Sequence, residues 1–149
     1  QLYAAKLNVY HGAMMLNLSA TKMADKADII NPWRGFPTSG YGRVMAQTNW
    51  YANTSSWTIE SEYDFGKAGL VNGLVFDASY MSINIDDAKS NALTVLSTDR
   101  DIKYFHFIKS FNNGVEARFR FADVDAKDYA GTGVNDSYQE YRFEVNYLF

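Results

Sequence analysis

Polar and apolar residues alternate one by one along most of this chain, and helical spacing is scarce. Successive side chains of a strand point to opposite sides. Period-two alternation therefore dictates sheet with one apolar and one polar face. The last stretch, Tyr138–Phe149, shows this most plainly. Tyr141, Phe143, Val145, Tyr147 and Phe149 recur at every second position, with Arg142, Glu144 and Asn146 between them.

Six further stretches read the same way. They are Leu2–Tyr10, Ala13–Lys22, Ser56–Phe65, Gly73–Asn84, Arg100–Phe111 and Val115–Val124. In the first, Tyr3, Ala5, Leu7 and Val9 oppose Lys6 and Asn8. In the third, Trp57, Ile59, Tyr63 and Phe65 oppose Thr58, Glu60, Glu62 and Asp64. Arg100–Phe111 has rings on both parities. Our reading puts Ile102, Tyr104, His106 and Ile108 on the apolar side, with Lys103, Phe105, Phe107 and Lys109 opposite. Tight turns are expected at His11-Gly12 and at Asn112-Asn113-Gly114, because Asn-Gly tolerates positive φ. Residues 23–55 hold both prolines, in Asn31-Pro32-Trp33-Arg34-Gly35-Phe36-Pro37, and read as a loop. Arg43–Tyr51 inside it is a further extended segment whose faces do not sort.

Composition closes several alternatives. The 149 residues are 47% hydrophobic and 16% aromatic, yet mean hydropathy is −0.30, as alternation requires. Without cysteine there are no disulfides or thiolate metal sites. Only His11 and His106 are present, which disfavours zinc hydrolase and Ser-His-Asp designs. A net charge of −3 argues against nucleic acid as a partner. No apolar run reaches the roughly 20 residues of a membrane helix, but a barrel strand needs only about 9–11. The chain opens on Gln1 without Met or a signal region, as expected of a mature form or a piece of something longer.

The connections alternate in length. Those at 11–12, 66–72 and 112–114 are short; those at 23–55, 85–99 and 125–137 are long. Bacterial outer-membrane barrels have this asymmetry, with short periplasmic turns and long outer loops. The terminal aromatic closing an alternating strand resembles the recognition signal of such barrels. We therefore expect an all-β fold, an antiparallel transmembrane β-barrel in the bacterial outer membrane, with membrane lipid around it.

Several stretches, in order, are similar to the OprD-type substrate-specific outer-membrane porins. They are the proline-glycine loop quoted above; Ser56-Trp57 leading to Glu62-Tyr63-Asp64-Phe65-Gly66; Gly73-Leu74; Arg118-Phe119-Arg120-Phe121-Ala122-Asp123-Val124-Asp125; and Glu140-Tyr141-Arg142-Phe143-Glu144-Val145-Asn146-Tyr147. The resemblance implies one barrel of about eighteen strands. Residues 1–149 would supply its C-terminal portion, some seven to eight strands. Single-chain bacterial barrels have even strand numbers. Seven strands thus imply that the remainder of the same barrel lies upstream of Gln1. The rival is a small eight-stranded structural or adhesive barrel whose outer loops bind a partner. Side chains fill the interior of so narrow a barrel.

Glu60, Glu62 and Asp64 share a face, but no catalytic motif accompanies them, so no enzyme is expected. The loop acids match no metal-binding loop, and neither a metal nor a cofactor is expected. The cations are more informative. Adjacent strands lie about 4.8 Å apart, so Lys103, Lys109, Arg118, Arg120 and Arg142 would cluster on one wall of the lumen. Glu60, Glu62, Asp64 and Asp77 would form an acidic wall beside them. The resemblance implies that Arg118, Arg120, Arg142 and Lys103 belong to a basic ladder that guides small carboxylate solutes by passive diffusion. The plainer alternative is that these cations form wall salt bridges with Glu116 and Glu144. The resemblance also implies that an outer loop folds inward as a constriction. Residues 23–55 fit by length, with Trp33, Arg34, Phe36 and Arg43 presented to solutes.

Overall fold

The computed structural model describes residues 1–26, 52–86, 99–112, 114–126 and 137–147. Among these residues seven strands follow one another: β1 (Leu2–His11), β2 (Met14–Met23), β3 (Ser55–Asp64), β4 (Leu74–Asn84), β5 (Arg100–Ser110), β6 (Val115–Ala126) and β7 (Tyr138–Tyr147). They form one sheet in chain order, every neighbour antiparallel, and the sheet is open. All seven expected strands are present, with bounds shifted by two residues at most. Leu148, Phe149, Asn113 and the segment Arg43–Tyr51 lie outside the described residues.

Two of the shorter turns show why the chain reverses where it does. His11 pairs with Met14, leaving Gly12 and Ala13 as a two-residue loop. Gly12 has φ +57°, at the position where a type II′ turn needs positive φ. The β3–β4 turn is longer and is held by its own backbone. The amides of Leu70 and Val71 donate to the Phe65 carbonyl, and the Asp64 carboxylate accepts from the Lys67 amide at 3.0 Å. Gly73 closes this turn at φ +67°, and its carbonyl accepts from the Ser110 amide at 2.8 Å. A Cβ there would sit 2.4 Å from the Ser110 carbonyl oxygen. Gly73→Ala combines that clash with a left-handed backbone costing about 1–2 kcal/mol. In the full-length protein it is expected to lower stability by at least about 2 kcal/mol, read as a fall in the urea unfolding midpoint. An unchanged midpoint would contradict the close approach.

Register fixes the two faces. Through the pairs Asn8–Asn17, Asn17–Glu60, Glu60–Ser79 and Ser79–Tyr104, the polar face runs unbroken from β1 to β5. The opposite face carries exposed apolar side chains, among them Leu7, Val9, Leu16, Leu18, Trp57, Phe105, Phe119, Phe143 and Val145. Phe143 is 71% exposed. Rings line up across the strands of this face: Phe76 with Phe107 at 4.6 Å, Phe105 with Phe121 at 6.1 Å, and Phe121 with Tyr141 at 4.8 Å between centroids. Their burial is therefore reversed relative to a water-soluble sheet, in which a face this apolar would pack on a second layer.

The buried apolar cluster lies on the other face. Met81, Ile83, Ile85, Ile102 and Val124 pack together, with Tyr104 against them. They occupy the end of the sheet from which the three longer connections leave. Those connections are pinned at their feet. The Met23 amide donates to the Thr54 carbonyl, the Ile85 amide to the Asp99 carboxylate, and the Ala126 amide to the Ser137 hydroxyl.

Candidate functional site: the charged wall

One row of the polar face crosses five strands. Register places Glu62 opposite Asp77, Asp77 opposite His106, His106 opposite Arg120, and Arg120 opposite Arg142. The row therefore runs from two carboxylates, through an imidazole, to two guanidinium groups. Strands about 4.8 Å apart spread it over roughly 19 Å. Arg118 lies one step along β6, opposite Glu144.

Each arginine has a carboxylate neighbour. Arg118 Nε donates to Glu116 Oε1 at 2.5 Å, Arg120 Nη1 lies 3.1 Å from Glu144 Oε1, and Arg142 Nε donates to Glu140. Arg120 Nε also points at His106 Nε2, 3.5 Å away. The salt bridges foreseen with Glu116 and Glu144 thus exist, whereas that of Arg142 with Glu140 was not foreseen, and Arg118, Arg120 and Arg142 stand together on one face. All three keep part of the side chain exposed. Arg120 and Arg142 are the unusual pair. Like charges directly opposite across two strands oppose each other, and each is compensated by a different glutamate rather than by a shared one. A guanidinium presents a fork of donors, so a carboxylate between them can be gripped by both.

Lys103 does not belong to this group. It pairs in register with Asp123, its Nζ lies 3.5 Å from Asp123 Oδ2, and both stand on the apolar face with Phe105 and Phe107. Ile102, Tyr104 and His106 are the residues that share the face of Arg120, with His106 directly opposite it. The expected facing of β5 is thereby corrected in full. Within the strand, rings occupy both parities and cannot decide it. The neighbours decide: Phe105 and Phe107 meet Phe121 and Phe119 of the cleanly alternating β6. Lys103 and Asp123 sit beyond the ring band, toward the end where the longer connections leave.

Glu60, Glu62, Asp64 and Asp77 are on the polar face as expected, and Asp77 is buried there. On the described part of this face carboxylates outnumber cations. The arginine cluster is a local positive region rather than a basic wall. Sequence reading did not find His106 at the change of sign, because the wrong parity had placed it on the other face. Nor did it find the apolar cluster around Met81. The clue to that cluster was the β4 parity shared by Asp77, Met81 and Ile83. Trp33, Arg34, Phe36 and Arg43 lie outside the described residues. Among the described residues no group of three or more metal-ligating side chains comes together. No described helix is long and apolar enough to cross a membrane, which says nothing of strands.

The sheet closely follows part of a known barrel. It superposes on Pseudomonas aeruginosa OccK3 (OpdO) with a TM-score of 0.73, over 98% of this chain and 38% of that one, at 18% identity. The fold is that of one flank of an OprD-family barrel. Two further Pseudomonas aeruginosa structures agree. OccK5 (OpdH) matches with a TM-score of 0.71, 17% identity, and coverage of 97% of this chain and 38% of that one. OpdQ matches with a TM-score of 0.71, 18% identity, and coverage of 99% and 38%. The chain thus spans about 38% of the length of the structures it matches. No protein-family model matches the sequence, and no curated protein does.

Proposed function

We propose that residues 1–149 form the C-terminal flank of an outer-membrane porin that passes small carboxylate-bearing solutes by passive, selective diffusion. The apolar face meets lipid and the polar face lines the lumen. Only a closed barrel satisfies all backbone groups within a bilayer, so β1 and β7 must pair with further strands of the same wall. Seven strands in 38% of a barrel correspond to about eighteen in all. That width leaves an aqueous channel, whereas an eight-stranded barrel is filled by its own side chains.

The observation that carries the reading is the juxtaposition of Arg120 with Arg142, with Arg118 beside them, on the lumen face. These are the ladder residues. The field between them and Glu62 and Asp77 runs across the channel, where low-dielectric walls focus it. Each grip on a carboxylate is weak enough to release, as conduction requires. The proposed constriction by residues 23–55, with Trp33, Arg34, Phe36 and Arg43 toward solutes, belongs to the same reading. No reacting group is involved, and the protein acts as a channel rather than an enzyme.

The test is electrical. The full-length protein carrying this chain, reconstituted in a planar bilayer, is expected to give discrete conductance steps that small monocarboxylates reduce by occupying the lumen. Absence of conductance from correctly inserted protein would support the narrow adhesive barrel instead.

A further inference from the structure

On the apolar face, Ala5 of β1 stands directly opposite Ala20 of β2, and Ala20 opposite Trp57 of β3. The two alanines leave a furrow of about 360 Å³. Leu7 and Leu18 close it on one side, and Trp57 closes another. Trp57 is braced by Tyr80, with ring centroids 5.4 Å apart. The rim residues stand well clear of the sheet, with Leu7 57% and Trp57 50% exposed. The adjacent row of this face, Leu7, Leu18, Ile59 and Tyr80, is bulky throughout, whereas the furrow's own row continues beyond Trp57 with Ser82, Asp101 and Asp125, so the furrow borders the apolar band on the side of the longer connections.

A fixed cation stands at its outer end. Lys22 is two residues beyond Ala20 on the same strand, hence on the same face and about 6.8 Å further along. Its ammonium donates to both the backbone carbonyl and the side-chain Oδ1 of Asn53, each at 2.7 Å. Asn53 presents both oxygens to one point by adopting φ +58°. Its amide nitrogen in turn donates to the Asp86 carboxylate at 2.6 Å. A lysine normally keeps its stem mobile, whereas this one is held at the mouth of an apolar furrow. Two of its three N–H donors are engaged on Asn53.

We infer that this furrow is a specific seat for a lipopolysaccharide molecule of the outer leaflet, one acyl chain lying over Ala5 and Ala20 and a phosphate on Lys22. The inference rests on the outer-membrane reading above. The charge fits a phosphate, the furrow is continuous with the face assigned to lipid, and Lys22 lies at the end where the outer loops leave. Tyr3, opposite Lys22 in register, adds an amphipathic ring of the kind enriched at a membrane interface.

The test uses the full-length protein in living cells. A photocrosslinking p-benzoylphenylalanine replaces the rim residue Leu7, and adducts are identified by mass. A lipopolysaccharide adduct is expected, reduced about fivefold by Lys22→Gln, as loss of one cation near a phosphate layer predicts. Ala20→Phe, which fills the furrow, is expected to reduce it similarly. The same label in place of Ala117, on the apolar face of β6, should be indifferent to both changes. A lipopolysaccharide adduct unaffected by either substitution would overturn the inference, leaving only general lipid contact. An adduct to a second barrel, or to phospholipid, would overturn it as well. Conductance of the same protein, purified and reconstituted in a planar bilayer, separates the two readings. A conducting barrel without the lipid preference defeats this inference alone; a barrel that never conducts defeats the porin reading.

Discussion

Replacing Arg120 and Arg142 together by glutamine in the full-length protein is expected to cut carboxylate flux about tenfold and to shift ion selectivity toward cations. The magnitude follows from the number of grips removed. A hydrogen bond to a charged group is worth about 1.5–3 kcal/mol, and about 1.4 kcal/mol is a factor of ten. Screening at physiological salt acts over about 8 Å and keeps the effect near the lower end. The glutamates then weigh more heavily. Glu144 and Glu140 lose their partners, and the described wall already carries more carboxylates than cations. Selectivity is therefore expected to move further toward cations. Reversal potential in a salt gradient and uptake of a labelled monocarboxylate measure the two effects. Lys103→Gln is the internal control. It removes one positive charge, from the opposite face, and should leave both quantities unchanged. If Arg120 and Arg142 can be neutralised without any change in reversal potential, the ladder assignment fails.

The contrast between Arg120 and Lys103 also shows what alternation can and cannot decide. β7 was legible residue by residue, because Tyr141, Phe143, Val145 and Tyr147 leave only one face for Arg142. β6 was legible for the same reason. β5 was not, since Tyr104 and His106 compete with Phe105 and Phe107 for the apolar side. A strand's facing is a property of the pairing: Phe121 and Phe119 orient β5, and nothing within its own sequence does. The ion pairs were legible in kind but not in detail. Arg118 with Glu116 and Arg142 with Glu140 lie two apart on one strand and could be anticipated. Arg120 with Glu144 needs the register. Lys22, Asn53 and Asp86 were beyond sequence reading altogether. They come from the feet of two separate connections, and only the positive φ of Asn53 brings its oxygens onto the ammonium. The fold was legible because a sheet in lipid needs one simple rule throughout. The sites depart from that rule, and register alone locates the departures.

The same rule gives the second large effect. Phe119→Arg is expected to destabilise the folded barrel by about 2–4 kcal/mol if the side chain lies near the bilayer midplane. Phe119 is on the apolar face, opposite Phe107 on one side and Phe143 on the other. It lies amid the aromatic rows and well short of the Lys103–Asp123 pair. A guanidinium there has no partner within its own layer and must distort the lipid or reach for the interface. Arg118→Gln, one residue away but facing the lumen, should cost less than about 1 kcal/mol, because its partly exposed pair with Glu116 lies on the solvated wall and contributes little to stability. The adjacent positions thus separate two hypotheses that composition cannot. In a soluble sheet packed on an unseen second layer, Phe119→Arg would also destabilise, but detergent or lipid would not be needed for folding. In a barrel, the cost of Phe119→Arg should fall toward about 0–1 kcal/mol when the arginine is moved to Val115, nearer the turn and the interface. Urea titration of the three variants in liposomes reads this gradient. A depth-dependent cost means that this face lies in lipid; a flat one means that it packs on protein.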